Sequence, residues 1–585
     1  MPQLSKRLAL VALLALPGRA VAQSPLPPYR NPRLPVAERV QDLLSRMTID
    51  EKFWQLFAVP GDLDDSSDDY SHGIFGLQIA PADTSGAPGA IAAAHAARID
   101  SIQRYFVEHT RLHIPIIPLD EAVHGLKRPG ATSFPQAIAL AATWDTALVG
   151  DVAAAIASEV RSRGLRQVLS PVVNIASDVR WGRTEETFGE DPVLSSAMAG
   201  AFVGAMERAG VIATPKHFVA NVGEGGRDSY PAEWSRRTLE ERFFPPFRAA
   251  IAQGHAQAVM SAYNSVNGIP ASQNRWLLTD VLRGDWGFDG FVISDQAATA
   301  GPTVLQHTEA STASATEHAL EAGLDVIFQP SYRQYRPYLA AIKSGRIPQR
   351  VIDSAVARVL RAKFSLGLFD HPYADPAEAG RVNGSAEHRA LARRAAREAI
   401  VLLRNRGGTL PLSSNVGSVA LIGQDAIEAR LGGYSGPGVH PVSIRDALQS
   451  RLGGAMRYSP GVSRIDTQYV TVPAAFHAEY FDNPRLEGAP GAVRTDSAID
   501  FHWTITPPAR GIDQDWYSVR WTGRIDVPAG DTVHQIGVVG DDGYRLYLDD
   551  SLIVNDWTKR SFGSHLAQVA LLPGSSHTVR LEYFE

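Results

Sequence analysis

The chain contains no cysteine among its 585 residues. Disulfide bridges and thiolate metal sites are therefore excluded, and the fold must be stabilised by its hydrophobic cores. Neither sign of charge is in large excess, because the formal net charge is only −6. So small an imbalance predicts neither a nucleic-acid partner nor attachment to a membrane surface. No stretch has metal-ligand spacing either, so we expect neither a metal nor a cofactor.

The residues that are present are typical of a large soluble protein. Hydrophobic residues make up 44% and charged residues 20% of the chain, which are ordinary values for globular domains. A chain of 585 residues is too long for one hydrophobic core. We therefore expect about two to four domains.

The first residues have the pattern of an export signal. Lys6 and Arg7 precede the apolar run Leu8–Pro17, which is too short to span a bilayer, and the small residues Ala20–Ala22 suit a signal peptidase. A buried N-terminal helix is the alternative. We interpret residues 1–22 as a signal peptide and expect a periplasmic or secreted protein that leaves the membrane after cleavage.

Between residues 30 and 370 short apolar runs alternate with amphipathic helical stretches. Apolar strands separated by helices indicate a parallel sheet that is buried on both faces. Seven clear units, with a weaker eighth before residue 73, favour a (β/α) TIM-like barrel over an open doubly wound sheet, which remains the alternative. The runs are "GIFGLQIA", "IPIIPLD", "QVLSPVVN", "VIATPKH", "AQAVMSAYN", "GFVISD" and "GLDVIF".

Polar side chains recur where these predicted strands end. In a (β/α) barrel the chemistry takes place at the carboxyl ends of the strands. Capping of the following helix is the alternative for each single residue. The strand-end residues are Asp120, Glu121, Asn174, Lys216, His217, Tyr263, Asn264 and Asp295.

After residue 370 the sequence changes character twice. A polar linker precedes a helix and strand pattern that predicts the first part of an α/β sandwich, and alternating apolar residues then predict an all-β module. The chain stops in mid-strand at Glu585, so we expect this module to be incomplete, with an unpaired edge. The predicted divisions are a barrel at 30–370, a linker at 371–395, a partial α/β sandwich at 396–472 and a β-module at 473–585.

Six motifs in this order make residues 35–470 resemble glycoside hydrolase family 3. The β-module resembles the protective-antigen-type domain through "EYF", "VRWTGRI" and "GDDGYRLYLDD". In some members of the family that domain interrupts the second α/β domain. The six motifs are "ATSFPQAIALAATWD", "SPVVNIASDVRWGRTEETFGEDP", "TPKHF", "VMSAYNSVNGIPAS", "LLTDVLRGDWGFDGFVISD" and "AREAIVLLRNRGGTLPL".

The resemblance implies a catalytic role for Asp295, which ends "GFVISD" and matches the family's nucleophile. A retaining glycosidase needs an ionised carboxylate below the sugar and a protonated carboxyl above the leaving oxygen, about 5 to 5.5 Å apart. We expect Lys216 and Arg183 to favour the ionised form of Asp295.

The resemblance also implies which residues bind the sugar. Arg183, Lys216, His217 and Tyr263 match positions that contact its hydroxyls, although a buried core histidine is the alternative for His217. Glu121 stands where many β-glucosidases of the family have Asp. Its extra methylene favours a pentose, as in the β-xylosidase-like branch. The family usually has Trp or Cys after the nucleophile, whereas this chain has Gln296.

The general acid/base of multidomain members is a Glu that follows the inserted β-module. No Glu in residues 371–472 matches its motif, so we expect either a truncated reading frame or poor protonation of the leaving group. The leading hypothesis is an exported exo-β-glycosidase that hydrolyses terminal β-linked xylose or glucose. The alternative is a carbohydrate-binding or poorly active hydrolase fragment.

Overall fold

The structure is a computed structural model that describes residues 26–222, 224–226, 228–413, 415–461, 470–501, 503, 508–512, 516–530, 533–560 and 563–585. The predicted signal peptide at 1–22 lies outside the described residues. Within the described ranges, no helix combines the length and the apolar character that a membrane span requires.

Eight short parallel strands form a closed ring in the first part of the chain. Ladders join β10 to β1 and β2, β3 to β4 and β5, and β6 to β9. The amide of Ile117 donates to the Phe75 carbonyl (3.0 Å) and joins β2 to β3. Bridges from Phe218 to Ser261 and from Ile293 to Val326 complete the ring. The strands are β1 (Phe57–Pro60), β2 (Gly76–Gln78), β3 (Leu119–Asp120), β4 (Gln167–Val168), β5 (Ile212–Ala213), β6 (Ala258–Ser261), the hairpin strands β7 (Ser265–Val266) and β8 (Ile269–Pro270) outside the ring, β9 (Phe291–Ser294) and β10 (Ile327–Phe328).

The barrel prediction is therefore confirmed, and β1 is the weaker eighth strand before residue 73. Gly290 shows how closely the strands approach, because a Cβ at this position would lie 2.2 Å from the Gln257 carbonyl oxygen. A glycine therefore lets β9 start directly against the strand β6. All four residues of β9 are buried, as expected for a parallel strand that is covered on both faces.

Helices surround the ring and begin at recognisable caps. Thr48 and Glu51 form a capping box at the start of α2, and Asp145 and Asp191 cap α5 and α6 through their carboxylates. The α-helices are α1 (Val36–Arg46), α2 (Ile49–Trp54), α3 (Pro88–His109), α4 (Ala137–Ala141), α5 (Thr146–Ser162), α6 (Pro192–Arg208), α7 (Arg236–Thr238), α8 (Pro245–Ala252), α9 (Gly301–Val304), α10 (Thr312–Ala322), α11 (Tyr335–Lys343) and α12 (Gln349–Ser365), with π-helical turns at Leu239–Phe243 and Trp276–Asp285.

The predicted linker at 371–395 is largely helical. It contains α13 (Pro376–Val382) and the start of α14 (Ala386–Glu398). No strand follows α14 in residues 399–413, where the sequence pattern predicted one. In the described part of 396–472, the predicted sandwich is represented by the parallel pair β11 (Val419–Ile422) and β12 (Met456–Ser459) and by α15 (Ile444–Leu452). Two strands cannot cover much apolar surface, and Ile400 to Leu403 are 59% to 91% exposed.

The last part of the chain is all-β, as predicted. Six antiparallel strands follow the order β14-β13-β15-β20-β17-β18, and β16 pairs with β19. The last strand, β20, lies between β15 and β17 and is paired on both sides, while β14 and β18 lie at the two edges of this sheet. The strands are β13 (Phe476–Phe481), β14 (Ala492–Asp496), β15 (Ser518–Asp526), β16 (Val533–Gly540), β17 (Gly543–Leu548), β18 (Ser551–Asp556), β19 (Gly563–Leu571) and β20 (Ser576–Phe584).

Candidate active site

Asp295 lies directly after β9, at the carboxyl end of a buried barrel strand. One carboxylate oxygen, Oδ1, accepts the Gln296 amide (2.8 Å), and Oδ2 lies 3.4 Å from Nε2 of His217. Helix capping does not explain this residue, because α9 begins only at Gly301 and has no side-chain cap. The buried carboxylate therefore faces the barrel mouth among other polar groups.

Glu121 and Lys216 form a close ion pair beside this carboxylate. The Lys216 ammonium group donates to both Glu121 oxygens, each at 3.0 Å. The preceding Asp120 is instead held by Arg128 (2.5 Å) and Gln78 (3.1 Å). The two neighbouring carboxylates thus have different partners: Asp120 holds the loop that follows β3 through Arg128, whereas Glu121 contacts Lys216 beside Asp295.

Arg183 is fixed by two carboxylates. Its Nε and Nη2 donate to the two oxygens of Glu186 at 3.0 and 2.9 Å. Its Nη1 lies 3.7 Å from Oδ2 of Asp228. Neither carboxylate was among the site residues predicted from the sequence.

His217 and Tyr263 complete the predicted group. The His217 amide donates to Oδ1 of Asn174 (2.8 Å), and ring atom Nδ1 lies 3.1 Å from the same oxygen. His217 is thus a buried histidine with a partner, and its other ring nitrogen faces Asp295. Burial raises the pKa of Tyr263 well above its usual value, and the nearby Asp295 charge adds to this effect.

Burial dominates the electrostatics of the site. It raises the pKa of Asp295, although Arg183 and Lys216 act in the opposite direction. The two cations lower the pKa of Asp295, as expected, but desolvation raises this pKa by more than they lower it. Burial also raises the pKa of Glu121 against the effect of Lys216. The pKa of His217 is lowered well below its usual value, first by burial and then by both cations, so its imidazole is neutral.

Tyr434 reaches this site from the segment after the barrel. Its ring centre lies 5.0 Å from the Lys216 ammonium, 5.5 Å from the Arg183 guanidinium carbon and 4.8 Å from the Lys127 ammonium. An aromatic face near cations is an attractive arrangement. The ring therefore covers the positively charged side of the site.

Sequence reasoning missed three members of the site. Glu186 follows Arg183 by three residues within one quoted motif, so that spacing was an available signal. Asp228 lies in the loop after β5 and has no comparable pattern. Tyr434 is remote in sequence, and no local pattern connects it with the barrel.

Two known protein families match parts of the chain. The profile of the glycosyl hydrolase family 3 N terminal domain matches residues 48–362, and that of the PA14 domain matches residues 472–585. The chain is 35% identical to a periplasmic beta-glucosidase of Salmonella typhimurium over 72% of its own length and 56% of that protein. It is 34% identical to a beta-xylosidase of Formosa agariphila, over 59% of this chain and 52% of that protein.

A solved structure supports the same relationship. An exo-1,3/1,4-beta-glucanase from Pseudoalteromonas shares 30% sequence identity, with a TM-score of 0.64 over 74% of each chain. The present chain spans about half the length of the curated relatives that it matches.

Proposed function

The chain belongs to glycoside hydrolase family 3, and on this premise we propose that it is a retaining exo-β-glycosidase that releases terminal β-linked xylose or glucose from oligosaccharides. The observation that carries the proposal is the buried Asp295 carboxylate at the end of β9, with Arg183 and Lys216 as its nearby cations. The similarity to a beta-glucosidase and a beta-xylosidase supports the same two sugars.

The proposed reaction has two steps. An Asp295 oxygen attacks the anomeric carbon as the bond to the leaving oxygen breaks, and the leaving oxygen takes up a proton. Water then attacks the anomeric carbon of the glycosyl-enzyme ester and gives up a proton to solvent, which releases the sugar and restores the Asp295 carboxylate. The barrel strand holds the nucleophile rigidly through both steps.

The polar groups around Asp295 suit a polyhydroxylated sugar. Lys216 and Arg183 are donors, Glu121 is an acceptor, and Tyr263 can act as both. The neutral imidazole of His217 has one N–H, which Nδ1 directs to Oδ1 of Asn174, so Nε2 can accept a hydrogen bond from a sugar hydroxyl without adding charge beside the nucleophile. We propose that these five residues bind the hydroxyls of the terminal sugar.

We also propose that the protein is exported. The signal-like sequence at residues 1–22 supports this, and so does the likeness to a beta-glucosidase that is described as periplasmic. The substrate would then be an extracellular or periplasmic oligosaccharide or glycoside.

A second candidate function is carbohydrate binding with poor turnover. The carboxylates placed near Asp295 are already engaged: Glu121 by Lys216, Glu186 by Arg183, and Asp228 by Trp181 and Asn221. Because these carboxylates already have partners, we expect them to protonate the leaving group poorly.

Trapping of the covalent intermediate tests the proposed function. A 2-deoxy-2-fluoro-β-xyloside or glucoside with a dinitrophenolate leaving group should label Asp295, as mapped by peptide mass spectrometry. Asp295→Asn should remain folded, take no label and turn over more slowly by several orders of magnitude. A label on a different residue would contradict the assignment.

A further inference from the structure

We propose that Asp228 is a positioning residue whose carboxylate, together with that of Glu186, holds the Arg183 guanidinium in the orientation that meets the sugar. This inference rests on the proposed function, because it assigns a role toward a bound glycoside. It concerns a residue of the loop after β5 rather than a strand end.

Two carboxylates approach Arg183 from different sides. Glu186 takes Nε and Nη2 in a forked contact, and Asp228 lies 3.7 Å from the remaining nitrogen, Nη1. A guanidinium is planar, so the forked hydrogen bonds to Glu186 and the longer ion-pair contact to Asp228 together restrict its position and its plane. The side chain of Arg183 is 16% exposed and that of Asp228 is 35% exposed, so the contact is partly shielded from water.

The Asp228 carboxylate is itself held firmly. Its Oδ1 accepts the indole N–H of Trp181 at 2.8 Å and the amide of Asn221 at 3.0 Å. These two donors direct Oδ2 toward Arg183. Burial raises the pKa of Asp228, whereas Arg183 is the largest influence in the opposite direction.

This arrangement matters for binding because a long arginine side chain loses rotamer entropy when it is fixed. If the protein fixes Arg183 before the sugar arrives, the ligand does not bear that cost. Loss of the second carboxylate should therefore weaken sugar binding and leave the fold intact.

Asp228→Asn is the matched test. Asparagine keeps Oδ1 as the acceptor for Trp181 and Asn221, but it places an N–H group where Oδ2 faces Nη1 of Arg183. We expect kcat/KM on aryl glycosides to fall about 10- to 100-fold, mainly through KM, since small misplacements of a binding group have effects of this size. The thermal unfolding midpoint should stay close to that of the wild type.

Two further variants make the test specific. Asp228→Glu keeps the charge and should recover most of the lost kcat/KM. Asp178→Asn removes a carboxylate that also pairs with an arginine, the exposed Arg180 (2.6 Å), and should leave kcat/KM unchanged.

Leaving groups of different acidity separate positioning from proton donation. A positioning role predicts the same loss for nitrophenyl, dinitrophenyl and methylumbelliferyl glycosides. A loss confined to the poorer leaving groups would show that Asp228 protonates the leaving oxygen and would overturn the proposal. Unchanged KM in Asp228→Asn would overturn it as well.

Crystal structures of the wild type and Asp228→Asn provide a readout that does not depend on activity. A displaced Arg183 guanidinium in the variant supports the proposal, and an unmoved one contradicts it. If the wild type takes no fluoroglycoside label, the proposed function fails, while these two structures still decide whether Asp228 positions Arg183.

Discussion

At the scale of single residues, the length of the Glu121 side chain determines which contacts it makes. Both of its oxygens contact the Lys216 ammonium at 3.0 Å, and this forked contact depends on the full reach of a glutamate. An aspartate would end one methylene earlier. The difference leaves more room beside the proposed sugar position.

Glu121→Asp should shift the preference of the enzyme toward glucose. If the extra methylene excludes a hexose hydroxymethyl group, xyloside should be favoured by about 1 to 3 kcal/mol in the wild type, or about 10- to 200-fold. The ratio of kcat/KM for aryl β-xyloside and aryl β-glucoside measures this preference directly.

Glu121→Gln is the control for that experiment, because it keeps the length of the side chain and removes the charge. It should lower both kcat/KM values while leaving their ratio near that of the wild type. The hypothesis is wrong if Glu121→Asp also leaves the ratio unchanged.

At the scale of elements, the segment 431–436 joins the part after the barrel to the active site. Gly433 donates its amide to Glu185 (2.7 Å), and its carbonyl oxygen lies 3.1 Å from Nε2 of His124. Gln136 donates to the carbonyl of Leu431 (3.2 Å). These contacts hold the backbone against the barrel rim and present the Tyr434 ring to the cations.

Tyr434→Ala should weaken sugar binding. The ring would no longer hold Lys216 and Arg183 in place, and because partly buried cation–π contacts are worth about 1 to 2 kcal/mol, the less fixed cations should bind the sugar up to about 5- to 30-fold more weakly. Calorimetry with xylose and glucose measures the change. Tyr434→Phe keeps the ring and should behave like the wild type.

The opposite result for Tyr434→Ala would also be informative. Tighter sugar binding in that variant would mean that the ring occupies the sugar position instead of lining it. The prediction would then be wrong, and Tyr434 would be an obstacle in the pocket.

At the scale of the whole molecule, the barrel and the β-module have separate hydrophobic cores. The segment between them is different, because in its described residues β11, β12 and α15 leave Ile422, Val442 and Ile444 more than half exposed. Parallel sheets are normally covered on both faces. This part of the fold therefore contributes contacts to the site through segment 431–436 more than through a core of its own.

The chain of 585 residues should cleave only activated glycosides efficiently. With the nearby carboxylates engaged by donors, natural disaccharides should lose the general-acid contribution of about 10²- to 10⁴-fold. Dinitrophenyl glycosides need no proton on the leaving oxygen and should give a burst of product. Stopped-flow absorbance measures that burst.

Azide provides the control for this prediction, because a small nucleophile can replace water that lacks a general base. It should raise the steady-state rate on dinitrophenyl glycosides and yield a glycosyl azide. Full activity on xylobiose or cellobiose would show that the acid lies within residues 1–585 and would contradict the prediction.

The sequence by itself determined the barrel and the identity of its strand-end residues. Alternation of apolar runs with helical stretches is a local property, and parallel strands place their carboxyl ends at one edge of the barrel. Asp295, Lys216, His217 and Tyr263 could therefore be predicted as neighbours before any distance was known. The helix α13 (Pro376–Val382) was missed, because a polar composition with glycine and proline also suits a linker.

Only the tertiary structure decided how these side chains are paired and charged. Loops bring Glu186 and Asp228 to Arg183 and place Tyr434 beside the cations, and the positions of these loops follow from packing between distant segments. The raised pKa of Asp295 likewise depends on burial, which is a property of the folded molecule. The paired position of the last strand, β20, was decided in the same way, since strand order in an antiparallel sheet is set by contacts across the sheet and not by order along the chain.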